Sequence, residues 1–179
     1  MNARLVNYVL YQAGWFACVL GARSGRVALG TGLGVAAVAA HVALARRRRD
    51  ELVLALGAAA IGIAIDTVQI ALGTLAFEAG TVVPGLPPVW LAVLWMQFAA
   101  TFHYSFRWLA GRPAAAVLFG AVGGPLAFVA GARLGIVRLH PALWPSLATL
   151  ALSWSVAIPA MVRLAERQRG RPGAGEYRV

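Results

Sequence analysis

Long apolar runs alternate with short polar breaks along this chain, and six of the runs reach the 17 to 25 or so residues that a helix needs to cross a hydrocarbon core of about 30 Å. They fall at 5–22, 27–45, 52–75, 89–108, 114–133 and 143–163. The runs are continuous rather than alternating, and an open sheet would leave backbone groups unpaired in lipid, so the pattern predicts helices and no sheet. The first run follows Arg4 and ends in small residues as a secretory signal does, yet Tyr8, Tyr11, Gln12 and Trp15 suit a retained helix better. The expected fold class is all-α: a polytopic membrane bundle of six transmembrane helices in one domain, 1–165, followed by a polar, disordered cytoplasmic tail, 166–179.

Composition strengthens this picture. Of 179 residues, 60% are hydrophobic and 12% charged, more apolar surface than a single soluble core of this size can hide. A net charge of +10 would suggest nucleic acid in a soluble chain, but all sixteen basic residues are Arg and most cluster between the runs. That is a topology signal, and no nucleic-acid partner is expected. Twelve of the sixteen (Arg4, Arg46 to Arg49, Arg107, Arg112, Arg163, Arg167, Arg169, Arg171 and Arg178) fall on one side of the expected bundle. The positive-inside rule then puts both termini in the cytoplasm. Trp90, Trp108 and Trp144 lie near expected helix ends, where their rings favour headgroup level. Cys18 is the single cysteine, so an intrachain disulfide is excluded.

Polar residues inside the runs carry the candidate chemistry. With a rise of about 1.5 Å per residue, Asp66 falls roughly 4 Å outward of the middle of the third run and Gln97 roughly 2 Å outward of the middle of the fourth. Gln12 and Ser153 lie near the middle of the first and sixth. A carboxylate at that depth costs about 2.5 to 3.5 kcal/mol to insert, so Asp66 should face the bundle interior. Trp90, Gln97, Thr101, Tyr104 and Trp108 recur on one face of an expected fourth helix, Tyr8, Tyr11, Gln12 and Trp15 on the first, and Asp66 with Gln69 on the third. The candidate ligand-binding set is Asp66, Gln97, Thr101, Tyr104, Gln12, Trp15, Gln69 and Ser153, walling a midplane polar cavity. The competing reading of each is interhelical hydrogen bonding, worth roughly 0.6 kcal/mol per contact.

His41 and His103 share a depth, roughly 7 Å inward of their helix centres. Without a paired His on one helix or a Cys or Glu companion they do not point to haem or metal, and no cofactor is expected. Snorkelling toward the interface beside Arg46 or Arg107 is the expected state of both. No Gly-x-Ser-x-Gly elbow or other catalytic motif occurs, so an enzyme is not the favoured reading. Gly30 and Gly34, with Gly120, Gly124 and Gly131, are small residues at helical spacing suited to close helix packing, and Pro125 should bend the fifth helix.

Three stretches, "NYVLYQAGWFACVLGA", "PPVWLAVLWMQFAATFHYSFRWL" and "GAVGGPLAFVAGARLG", are similar to a bacterial inner-membrane family known only as a domain of unknown function, number twenty-eight seventy-eight. The resemblance spans nearly the whole chain. It implies a membrane-lipid setting, because genes of that family tend to stand beside genes similar to cyclopropane-fatty-acid synthases, and it brings no catalytic residues. The expected role is to bind or handle a lipidic or small amphipathic molecule as an accessory to membrane-lipid modification, with membrane lipids, a small amphipathic ligand or a membrane-protein partner as binding partners. The alternatives are a small transporter or proton-coupled permease using Asp66, and a structural partner or assembly factor.

Overall fold

A computed structural model describes residues 3–169 and 175–177, leaving the side chain of Arg169 aside. Helix α1 spans Ala3–Arg23, α2 Val27–Leu44, α3 Arg48–Ala71, α4 Val89–Ala99, α5 Pro113–Arg133 and α6 Trp144–Arg169. All but α4 are long and apolar enough to cross a membrane. Their outward faces carry large apolar side chains in the open, such as Leu29, Leu118, Leu126, Leu152 and Val156, the surface of a protein whose solvent is lipid.

Two hairpins, α1–α2 and α5–α6, make the most extensive helix contacts, and α3 packs against α4 and α6. The short α4 touches α1, α2 and α3. Close approach within the hairpins depends on glycine. A Cβ on Gly30 would collide with the Ala17 carbonyl, and one on Gly120 with the carbonyl of Trp154. Those glycines are therefore packing surfaces, as their spacing suggests. By contrast, a Cβ on Gly123 would meet nothing within 4 Å.

The fourth segment departs from expectation. It starts as predicted after Pro88 but ends as a helix at Ala99, and residues 100–106 continue as turns into a short 3-10 helix, Arg107–Leu109. Most of this stretch is buried in the bundle, and four of its amides are paired: Thr101 N–H donates to Phe98 O, Phe102 to Ala99, and both Tyr104 and Phe106 to Thr101 O. The Thr101 hydroxyl also turns back onto Phe98 O, at 2.6 Å. Unwinding breaks the expected single face, and Trp108 ends half exposed while Tyr104 and Thr101 are buried.

A small antiparallel ribbon, β1 (Leu75–Phe77) with β2 (Val137–Leu139), joins the α3–α4 and α5–α6 connections, so the expectation of no sheet fails locally. Leu75 and Val137 turn their side chains into the core, and the strands follow the helix ends that bring them side by side. Trp90 is likewise no interfacial ring: it is buried and donates to the Ala79 carbonyl at 3.0 Å. At the opposite end the last turn of α6 carries 166–169, and Glu176 and Tyr177 return to Arg46 and Ala45. The rest of the expected tail, 170–174 and 178–179, lies outside the described residues.

Candidate functional site

Helices α1 and α5 scarcely touch, and the gap between them is a cleft of about 280 Å³. Its floor is α4 and its walls are aromatic: Trp15 from α1, Trp95 and Phe98 from α4, Phe119 and Phe128 from α5, and Trp154 from α6. Gly123, with open space where a side chain would be, widens it on the α5 side. The Trp95 and Trp154 rings lie 4.6 Å apart at 38°. Gly62 and Gly124 make room for them, because a Cβ at either would overlap the Trp95 or Trp154 ring.

Asp66 stands behind this wall. It is fully buried, and Oδ2 accepts the Trp95 indole N–H at 2.8 Å. Oδ1 has no hydrogen bond among the described residues, nor does the buried indole N–H of Trp154. A buried acid with only one of its two oxygens bonded is not explained by helix packing alone.

The other candidate residues fall elsewhere. Gln69 is absorbed in a network at the ribbon end of α3 and α6: its amide donates to Ser153 Oγ at 3.1 Å, while its Oε1 accepts from Thr74 at 2.5 Å and Thr149 at 2.7 Å. Gln97 points away from the cleft to Cys18 Sγ, 3.7 Å off, between Gly14 and Gly34. Gln12 sits at the bundle edge bonded to Tyr8, which is itself exposed. Of the eight, Trp15 lines the cleft and Asp66 backs it through Trp95. The structure thus brings together an aromatic cleft with one acid behind it, and spreads the remaining polar groups over separate helix contacts.

A second cluster arises where α4 unwinds. Glu51, in the first turn of α3, is bonded by two histidines: His41 Nε2 lies 3.1 Å from Oε2 and His103 Nδ1 lies 2.8 Å from Oε1. All three are about 97% buried, so the expected snorkelling of His41 and His103 is wrong. Here burial is repaid by pairing rather than by reaching the interface. Unwinding frees the Ala100 carbonyl, which accepts from the Asn7 amide at 2.9 Å. The same amide and the Tyr177 hydroxyl, 2.8 Å away, face His41 Nδ1. The Asn7 amide nitrogen can only donate, and the Tyr177 phenol, pushed up to about 12 by burial, keeps a proton that it can donate to the same atom. Nδ1 of His41 is therefore an acceptor, and its Nε2–H donates to Glu51.

The His103 ring is engaged at both nitrogens. Nε2 faces the Ala165 carbonyl at 3.2 Å, which only accepts, and Nδ1 faces a carboxylate oxygen. Both bonds form only with an imidazolium, or with a proton on Glu51. Where both bonds are made, the two side chains share one proton. Among the described residues no group of three or more His, Cys, Asp or Glu has metal-holding geometry.

Five helices long and apolar enough to cross a membrane, with large apolar side chains on their outward faces, are the pattern of a helical membrane protein. The chain belongs to the family described as Protein of unknown function (DUF2878), whose model matches residues 4–160. No curated protein and no solved structure matches it.

Proposed function

We infer that this chain is a multi-pass protein of a bacterial inner membrane that holds a lipidic or small amphipathic molecule in the cleft between α1 and α5, as an accessory to membrane-lipid modification. The observation that carries the reading is the cleft itself. It is walled by aromatic rings and set between two helices that scarcely touch. Its 280 Å³ lies just under the roughly 300 Å³ at which small-molecule pockets begin. That space suits one arm of a lipid, the remainder lying in the bilayer.

The fourth segment crosses as a short helix followed by turns, which makes it the sixth span. Both ends of the chain then lie with the arginine-rich end, the side that positive charge holds in the cytoplasm. A reporter active only in the cytoplasm, fused to the C-terminal end, should be active; activity of a periplasm-only reporter there would reverse the orientation.

Gly123→Phe is the test of the cleft. It adds a ring in open space, so helix packing is retained while the cleft is filled. Mass spectrometry of protein purified in mild detergent should find a defined amphipathic molecule with the native chain and lose it with Gly123→Phe at an unchanged melting midpoint. Native protein carrying only bulk lipid in bulk proportions would end the proposal.

A further inference from the structure

At the arginine-rich end, α3 and α6 enclose a second recess, of about 760 Å³, which shares no lining residue with the aromatic cleft. Arg46, Arg47, Arg48, Arg49 and Arg167 surround it, with Asp50, Val53, Leu164 and Gln168. Two of the arginines are paired: Arg46 with Glu176 at 2.6 Å and Arg47 with Asp50 at 2.5 Å. Arg48 donates to the Ala43 carbonyl, which leaves its charge uncompensated. Arg49 and Arg167 have no ion pair or hydrogen bond among the described residues.

A run of arginines at a helix start is ordinarily a solvated face, and three further features distinguish this one. The charges ring a concavity instead of a convex surface. The recess lies at the N-terminus of α3, where Arg47 provides no side-chain cap, so the positive end of the helix adds to the arginines. Gln168 lines the recess, is 94% buried, and has an Oε1 without a hydrogen bond among the described residues. An amide held there with one end unused is suited to a ligand that carries hydroxyl or amine donors beside its anionic group. The apolar rim of Val53 and Leu164 continues toward the lipid-facing surface of α3, where Leu52 and Leu56 are exposed.

We propose that this recess binds a phosphate-bearing anion, with Arg48, Arg49 and Arg167 on the phosphate and Gln168 on a neighbouring polar group. The chemistry is shared by an anionic phospholipid headgroup and a free phosphate. Basic pockets between membrane helices take headgroups of this kind.

The full chain would be reconstituted in nanodiscs of phosphatidylcholine, and its melting midpoint followed as phosphatidylglycerol replaces part of the lipid, or as inorganic phosphate or pyrophosphate is added to phosphatidylcholine discs. Saturable stabilisation by phosphatidylglycerol assigns the headgroup as the source, and saturable stabilisation by the soluble anions assigns a free phosphate. In either arm the Arg49→Gln/Arg167→Gln double variant should bind about thirtyfold more weakly. Arg112→Gln/Arg163→Gln, which removes two exposed arginines of the same end outside the recess, should bind normally. No saturable effect in any arm, or equal loss in both double variants, would overturn the site.

Discussion

Glu51→Leu is expected to lower the melting midpoint in mild detergent by on the order of 10 °C, because removing one member of a buried charged cluster costs about 3 to 5 kcal/mol and a chain of this size loses roughly 2 to 4 °C per kcal/mol. His41 Nε2 and His103 Nδ1 would both lose their partner in a site that excludes water. Glu51→Gln distinguishes the cluster's proton from its geometry. A glutamine oxygen can accept from His41 Nε2–H, and its amide can donate to His103 Nδ1, leaving His103 Nε2–H on Ala165 O. Every hydrogen bond then closes with two neutral imidazoles, so Glu51→Gln should melt within a few degrees of the native chain. Equal collapse of both variants would show that the charge, rather than the bonding pattern, holds this end of the bundle.

The second large effect is expected at Asp66. Asp66→Leu removes the acceptor of the Trp95 indole and strands that N–H in the interior, a loss of roughly 1.5 to 3 kcal/mol for a bond to an ionisable group. Part of this is returned because an acid no longer has to be inserted in lipid. Asp66→Asn keeps an oxygen for Trp95 and should retain the ring and the cleft wall. If the acid acts on a bound molecule, folded Asp66→Asn protein should lose the cellular effect of the native chain although its melting midpoint is unchanged. If Asp66 serves only to position Trp95, Asp66→Asn should behave as native and Asp66→Leu should fail through stability. Melting and phenotype measured together on the two variants separate the cases.

Much of this fold is legible in the sequence, and the two places where it is not have one cause. The expected runs 27–45 and 114–133 match α2 and α5 almost to the residue, since hydropathy and the flanking Arg and Pro residues mark their ends. Hydropathy extends the fourth run to 108 and its polar residues fit a helical period, but the helix ends at Ala99 and the turns beyond it carry His103 to Glu51. A tertiary bond overrides local periodicity there. Glu51 follows "RRRRD" and reads as the polar flank of a run starting at 52. Extending α3 back to Arg48 places Glu51 on the face of Ala55, Ala58, Gly62, Asp66 and Gln69, all of them buried. That register was available in the sequence, and it would have pointed to a partner for the two histidines. The aromatic cleft is not legible there, because it depends on how little α1 and α5 touch, helices about a hundred residues apart in the chain.

Photolabelling tests the cleft most directly. Membranes containing the full chain would be loaded with a fatty acid carrying a diazirine in its acyl chain, irradiated, and the labelled residues mapped by mass spectrometry. If the cleft holds an acyl arm, labels should concentrate on Trp15, Phe98, Phe119 and Trp154, and Gly123→Phe should remove them while labels on outward residues such as Leu118 and Leu152 persist. Labelling spread over the outward surface in proportion to exposure, and unchanged by Gly123→Phe, would contradict the account.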